Sequence, residues 1–182
     1  MVSLQLLGPF RAETEDGTAV SLRRKSRAVL AYLAAAERPY TRHELASLFC
    51  QSAADPNQTL RLILSRLRRV VGEAALLTEG NTVHLDSELC PVDLQPFAQT
   101  LEQPDLSQVS SEALAQVVTR YRGEFLAGLH LPDAPEFEMW LVGQRSRWRQ
   151  LYERGALAWL HRLIADGQLS QALPLAQKLV QH

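Results

Sequence analysis

Residues 41–85, TRHELASLFCQSAADPNQTLRLILSRLRRVVGEAALLTEGNTVHL, contain the signals that decide the fold. Thr41 is followed three residues later by Glu44, and this capping-box pattern predicts a short helix over Arg42–Phe49. The next stretch, Gln51–Asn57, is typical of a loop because it contains an Asp-Pro pair. The quoted segment therefore begins with a short helix and a turn.

A longer helix and a hairpin follow that turn. The helix is predicted from residue 57 or 58 to Val71, because apolar residues recur at helical spacing until Gly72, a typical C-terminal stop. Two short strands, Leu76–Thr78 and Thr82–Leu85, flank a Glu-Gly-Asn turn and predict a β-hairpin.

Upstream, alternating apolar residues predict a small antiparallel sheet over Val2–Leu6, Phe10–Glu15 and Thr18–Val20. A helix is predicted over Ser21–Ala36, and Pro39 stops it. A helix, a short helix and a longer basic helix followed by a hairpin is the layout of a winged helix-turn-helix.

Downstream, the sequence becomes helical. The segment Pro91–Pro96 is the predicted boundary between a winged-helix domain at 1–90 and a helical domain at 91–182. Helices are predicted over Leu94–Glu102, Ser110–Leu126, Glu136–Asp166 and Gln168–Val180. The last two predict a hairpin of about one tetratricopeptide period, with a bend at Pro174. The predicted fold class is mainly α with small antiparallel β.

The composition is that of a globular protein. Hydrophobic residues make up 46% of the 182 and charged residues 21%, which excludes wholesale disorder. Two cysteines do not make a disulfide framework, and no metal or cofactor is predicted. The N-terminus lacks signal-peptide features and no apolar run is long enough for a membrane helix, so we expect a soluble, cytoplasmic protein.

The net charge of −1 is a cancellation between segments. Residues 21–70 contain ten Lys or Arg against three acids, which makes +7, whereas residues 1–20 carry −2 and residues 71–182 carry −6. A basic block in an otherwise acidic chain predicts a polyanionic partner for that block.

The third helix carries the sharpest functional signal. At 100° per residue its apolar side chains form one stripe, and the opposite side has four arginines and no acid before Gly72. Arg pairs with guanine, Gln with adenine and an apolar group with the thymine methyl in the major groove. The predicted base-reading residues are Gln58, Arg61, Leu62 and Ser65, and the predicted phosphate ligands on this helix are Arg66, Arg68 and Arg69. The alternative is a solvated helix face, but such faces normally mix charges of both signs.

Two further groups are less specific. Arg23, Arg24, Lys25 and Arg27 begin the first helix, where they either meet phosphates or are simply solvated. The hairpin has no Lys or Arg between residues 76 and 85, although a wing in the minor groove usually offers one. Its predicted contacts are Asn81, Thr82 and His84.

Catalytic motifs are missing. The sequence has no Walker A run, no G-x-S-x-G elbow and no H-E-x-x-H pair, so no enzyme activity is predicted. The acids Asp133, Glu136 and Glu138 are interpreted as dipole partners at the start of a long helix. Trp140, Trp148 and Trp159, which could also line a ligand cage, are interpreted as core residues between helices.

Six stretches, in both halves of the chain, carry a family resemblance: LRRKSRAVLAYL at 22–33, YTRHELA at 40–46, LSRLRRVVG at 64–72, Val92-Asp93-Leu94 with Phe97, YRGEFL at 121–126, and Trp140-Leu141 through Arg147-Trp148. Together they resemble the SARP family of bacterial transcriptional activators. In that family an OmpR-type winged helix precedes a bacterial transcriptional activator domain of tetratricopeptide-like helices. Where the family has a tryptophan after the second helix, this chain has Phe49.

The resemblance implies a transcriptional activator that binds direct repeats in double-stranded DNA and contacts RNA polymerase, with a homodimer left open. It also implies that the chain is truncated or a short family member, because a repeat would continue after His182. The alternative from another class is a protein-interaction scaffold that does not bind DNA, which the acidic, tryptophan-bearing helical half and the base-poor wing would suit.

Overall fold

The computed structural model of the chain describes residues 1–36 and 38–181, so that Glu37 and His182 lie outside the described residues. The strands are β1 Val2–Gln5, β2 Arg11–Thr14, β3 Tyr40–Thr41, β4 Leu76–Glu79 and β5 Thr82–Leu85. The helices are α1 Arg24–Ala34, α2 Arg42–Phe49, α3 Pro56–Val71, α4 Leu94–Leu101, α5 Ser111–Arg120, α6 Pro135–Ala165 and α7 Leu169–Gln181. The predicted class, mainly α with small antiparallel sheets, is confirmed.

The helix-turn-helix has the predicted elements. The Thr41 side chain accepts a hydrogen bond from the Glu44 N–H, and the Glu44 carboxylate accepts one from the Thr41 N–H at 2.6 Å, so the capping box of α2 is confirmed. Helix α1 begins three residues later than predicted, because Ser21 to Arg23 remain outside the helix and the backbone of Arg23 is extended.

The hairpin belongs to a three-stranded antiparallel sheet in the order β3-β5-β4. The sequence did not predict β3, which pairs Tyr40 with Val83 and Thr41 with Thr82. Tyr and Thr both favour strands, but a run of two residues is too short to predict one. They become a strand because β5 supplies the hydrogen-bonding edge. The Arg42 N–H also donates to the Asn81 carbonyl at 2.8 Å, which holds the hairpin turn beside the start of α2.

The N-terminal sheet contains two strands instead of three. β1 and β2 pair antiparallel from Val2–Thr14 to Gln5–Arg11. The predicted strand over Thr18–Val20 is reduced to one bridge between Ala19 and Glu13.

Helix α5 ends at Arg120, six residues before the predicted end, because the next residues dock on the N-terminal segment. The Arg122 N–H donates to the Leu7 carbonyl at 2.9 Å, and the Leu126 N–H donates to the Leu6 carbonyl at 3.0 Å. The approach is close: a Cβ on Gly8, whose φ is +137°, would lie 3.1 Å from the Arg122 Cβ. These contacts between distant segments take the place of further helical turns.

The segment around the predicted domain boundary also contacts β1. The Leu4 N–H donates to the Pro91 carbonyl at 2.8 Å, and the Asp93 carboxylate accepts the N–H groups of Leu6 and Leu7 at 2.8 and 3.1 Å. Burial raises the pKa of Asp93, opposed by these hydrogen bonds and by Arg122. One continuous cluster of buried residues runs through both parts of the chain. The division at residue 90 therefore stays a prediction.

Aromatic rings join the winged helix to α6. We call Tyr32, Tyr40, Phe49, Phe137 and Trp140 the junction cluster. The ring centroids of Phe49 and Phe137 lie 5.2 Å apart, and those of Tyr32 and Trp140 lie 4.7 Å apart. Phe49, where the resembled family has tryptophan, is fully buried at this junction.

The three tryptophans pack between helices, as interpreted from the sequence. Trp148 is buried, and Trp140 and Trp159 are half-buried against the core. Helix α7 continues through Pro174. Among the helices of residues 1–36 and 38–181, none is long and apolar enough to cross a membrane.

Candidate nucleic-acid interface

Helix α3 is fixed at its start and along one side. The Asp55 carboxylate accepts the Gln58 N–H at 2.9 Å, and Pro56 occupies the first turn, where its missing N–H costs nothing. The buried side chains that attach α3 to the rest of the winged helix are Leu60, Ile63, Leu64, Leu67 and Val71. This stripe determines which side of α3 faces outward.

The outward face contains the predicted base-reading residues. Gln58 and Arg61 are exposed, Leu62 is 49% exposed, and Ser65 is half-buried. Two of the predicted phosphate ligands, Arg66 and Arg69, are exposed on the same helix. An amide, a hydroxyl, an apolar side chain and three guanidinium groups are thus available together, with no carboxylate between residues 56 and 71. This chemistry suits base edges and phosphates at once.

Arg68 is placed differently from the other arginines of α3. Its guanidinium donates hydrogen bonds to the Thr78 hydroxyl and, at 3.4 Å, to the Leu76 carbonyl. It therefore links α3 to β4, and part of its donor capacity is used within the protein. The sequence predicted a phosphate ligand here; the structure adds a role in positioning the hairpin.

Arg68→Ala is expected to lower the free energy of unfolding by about 1 kcal/mol, because it removes charge-assisted hydrogen bonds at a partly buried site. Amide hydrogens of β4 should exchange faster in the variant. Arg69→Ala is the matched control: that side chain is exposed, so stability should stay within about 0.5 kcal/mol of wild type. Denaturant unfolding and hydrogen exchange provide the measurements, and equal stability of the two variants would contradict the positioning role.

The cations at the start of α1 fall into two groups. Arg23 and Arg24 are exposed, and α1 has neither a side-chain cap nor an acid in its first turn. Arg27 donates its Nε–H to the Leu22 carbonyl at 2.7 Å, and Lys25 forms an ion pair with Asp133 at 2.6 Å. Arg23 and Arg24 are consequently the members of this group that face solvent most freely.

The predicted wing contacts are also unequal. Asn81 is exposed at the turn, whereas the Thr82 hydroxyl donates to the Glu79 carbonyl at 2.8 Å and His84 is half-buried with its Nδ1 enclosed. Glu79 is exposed beside them and would repel a phosphate. The hairpin therefore presents Asn81 more openly than Thr82 or His84.

Asp133 has a different set of contacts from the one that the sequence suggested. It was interpreted as a dipole partner of α6, but its carboxylate contacts Lys25 and Ser52, which lie 108 and 81 positions away in the chain. No local pattern could have revealed a contact over such separations.

The described residues contain no cluster of potential metal ligands, and both cysteines are buried. Within residues 1–36 and 38–181, no group of three or more His, Cys, Asp or Glu could hold a metal ion. Cys50 and Cys90 are buried free thiols, and burial raises the pKa of both, that of Cys90 to about 11.

A solved structure shares this architecture. Mycobacterium tuberculosis EmbR, in complex with a low-affinity phosphopeptide, matches 99% of this chain with a TM-score of 0.67 and 21% sequence identity. The present chain spans 54% of that EmbR chain. At this identity the likeness establishes the fold, a winged helix followed by helices, and nothing more. No protein-family model and no curated protein sequence matches the chain.

Proposed function

We propose that this protein is a sequence-specific, DNA-binding regulator of transcription that reads the major groove with α3. The observation that carries the proposal is the outward face of α3, which is rich in arginine, free of acids and held in place by a buried stripe on the opposite side. In helix-turn-helix proteins the second helix of the motif occupies the major groove. Here that helix is α3.

The side chains divide by the groups they would meet. Gln58, Arg61, Leu62 and Ser65 are proposed to contact base edges. The residues proposed to contact phosphates are Arg66 and Arg69 of α3 and Arg23, Arg24, Lys25 and Arg27 at the start of α1. Arg68 is proposed to contact a phosphate as well, in addition to its hydrogen bonds to the hairpin. Phosphate contacts position the helix, and base contacts supply the sequence preference.

The helical half is proposed to contact RNA polymerase, and the protein is proposed to activate transcription from tandem copies bound to direct repeats. The resemblance to SARP activators supports this, because the similar runs lie in both halves of the chain. The shared fold with EmbR is consistent with it, since the match covers 99% of this chain.

Selection of duplexes from a random pool by the full chain tests DNA binding directly. We expect enriched sequences with a recurring half-site, whose spacing reports how many copies bind. Affinity for an enriched duplex should fall steeply between low and moderate salt, because binding releases counterions. A pool without enrichment, or binding that does not respond to salt, would contradict the proposal.

A second candidate is a protein-interaction scaffold without DNA binding. The observation that favours it is the hairpin, which has no Lys or Arg and exposes Glu79. A protein retained in pull-down after nuclease treatment, with no loss when Arg61 and Arg69 are both replaced by alanine, would support the scaffold over the DNA-binding regulator.

A further inference from the structure

One carboxylate oxygen connects the helical half to two parts of the helix-turn-helix. Asp133 Oδ2 lies 2.6 Å from Lys25 Nζ and 3.4 Å from the Ser52 hydroxyl, which donates to it. Lys25 belongs to the first turn of α1, Ser52 to the turn between α2 and α3, and Asp133 to the segment that leads into α6. Three elements therefore meet at this oxygen.

The contact lies beside the entrance to the proposed reading helix. Ser52 is three residues before Asp55, the N-cap of α3. Because Lys25 and Ser52 reach the same oxygen, Lys25 lies close to the turn that leads into α3. Its ammonium group is thus well placed for a phosphate of DNA that lies against the start of α3.

The Lys25–Asp133 ion pair is exposed enough to solvent that another anion can replace Asp133. The Lys25 side chain is 25% exposed and that of Asp133 is 42% exposed. The hydrogen bond from Lys25 is the main cause that lowers the pKa of Asp133, so this carboxylate is charged near neutral pH. Partly exposed ion pairs of this kind contribute little to stability, and a phosphate offers the same ammonium group an equivalent anionic oxygen.

The segment that carries Asp133 is fixed by the packing of the helix that follows it. Phe137, at the start of α6, is fully buried in the junction cluster against Phe49. Asp133 is therefore kept near Lys25 by packing, and the ion pair itself need not be strong. A carboxylate held beside Lys25 lowers the local positive potential of the free protein.

We propose, building on the DNA-binding function above, that Asp133 competes with a DNA phosphate for Lys25. The helical half thereby restrains DNA binding at the start of α3, and DNA binding in turn releases Asp133. The coupling is reciprocal: the factor by which the Lys25–Asp133 pair weakens DNA binding equals the factor by which bound DNA weakens the pair.

The first test compares charge variants by fluorescence anisotropy with a duplex selected by the wild-type chain. Asp133→Asn keeps the size of the side chain and removes its charge, and we expect it to tighten DNA binding about two- to fivefold at low salt. When Lys25 is already replaced by alanine, Asp133→Asn should give no such gain. Glu136→Gln removes a neighbouring exposed charge that does not contact Lys25, and it should change the affinity less. Equal effects of Asp133→Asn and Glu136→Gln would overturn the competition.

The second test follows the contact itself. A zero-length carbodiimide reagent joins an amine and a carboxylate by an amide bond with loss of water, so it should cross-link Lys25 to Asp133 in the free protein. Peptide mapping should show a lower yield of this cross-link once the selected duplex is bound. An unchanged yield in a protein that does bind DNA would overturn this proposal and leave the DNA-binding function standing. Failure of every variant to bind any duplex would overturn both.

Discussion

Replacing Phe137 with alanine is expected to lower the free energy of unfolding by about 3–5 kcal/mol. The ring is fully buried, and its centroid lies 5.2 Å from that of Phe49 and 5.4 Å from that of Trp140. Its removal would leave a cavity that the rigid ends of α2 and α6 cannot close, and the loss of ring contacts adds to the loss of buried area. Denaturant unfolding followed by circular dichroism provides the measurement.

Met139→Ala is the matched control on the same helix. That side chain is 69% exposed, so its truncation should change stability by no more than about 0.5 kcal/mol. If the loss from Phe137→Ala does not exceed that from Met139→Ala, the described packing of the junction cluster is wrong.

The same substitution also tests whether the two parts of the chain unfold together. Phe49 belongs to α2 and Phe137 to α6, so a double-mutant cycle between Phe49→Ala and Phe137→Ala measures their coupling across the junction. We expect an interaction free energy of about 0.5–3 kcal/mol, as for residues in direct contact. Two separate transitions, only one of which shifts in Phe137→Ala, would contradict a shared core.

The elements that the sequence predicted well are those with local causes. Helix α2 has its predicted bounds, because a capping box and an apolar period both lie within eight residues. Helix α3 begins one residue before the earlier predicted start, because Pro56 was assigned to the loop although proline is favoured in the first turn. Its buried stripe follows the helical period that identified it.

The elements that the sequence missed have distant causes. Strand β3 is two residues long and exists because β5 lies beside it. The end of α5 at Arg120 depends on hydrogen bonds from residues 122–127 to the carbonyls of Leu6, Leu7 and Gly8. Tyr121 and Phe125, which lie within the predicted helix, are indeed buried, but they follow the end of α5, and their rings pack against Tyr152 and Trp148 of α6.

The candidate interface shows the same division. The outward face of α3 follows from periodicity alone, and the exposure of Gln58, Arg61 and Leu62 agrees with it. Sequence reasoning placed Arg68 with the other phosphate ligands of the third helix and Lys25 with the other cations of the first, because a pattern shows charge without showing which groups lie beside it. The hydrogen bonds of Arg68 to β4 and the ion pair of Lys25 with Asp133 separate them. One cation of the +7 block, Lys25, is therefore balanced in space by a carboxylate of the acidic half of the chain.

The largest expected effect on DNA binding is that of Arg61→Ala combined with Arg69→Ala. Arg61 is proposed to contact a base and Arg69 a phosphate, and both are exposed on α3 away from its buried stripe. The two substitutions together should reduce the free energy of DNA binding by about 3 kcal/mol, which is about a hundredfold in affinity. The slope of log affinity against log salt should fall by about one, because one phosphate contact is lost. Anisotropy titrations with a selected duplex at several salt concentrations measure both quantities.

Loss of positive charge alone could weaken the binding of any polyanion, so the double variant needs a control with the same net charge. Arg120 and Arg149 are exposed on α5 and α6, outside the proposed interface, and their joint replacement by alanine removes the same two charges. We expect that control to lose less than about threefold, because exposed charges that make no direct contact with the DNA are largely screened by salt. The single variants then separate the two kinds of contact. Arg61→Ala should relax the preference for one base, whereas Arg66→Ala should weaken all duplexes alike. Uniform weakening by both would mean that α3 holds DNA through phosphates without reading its sequence.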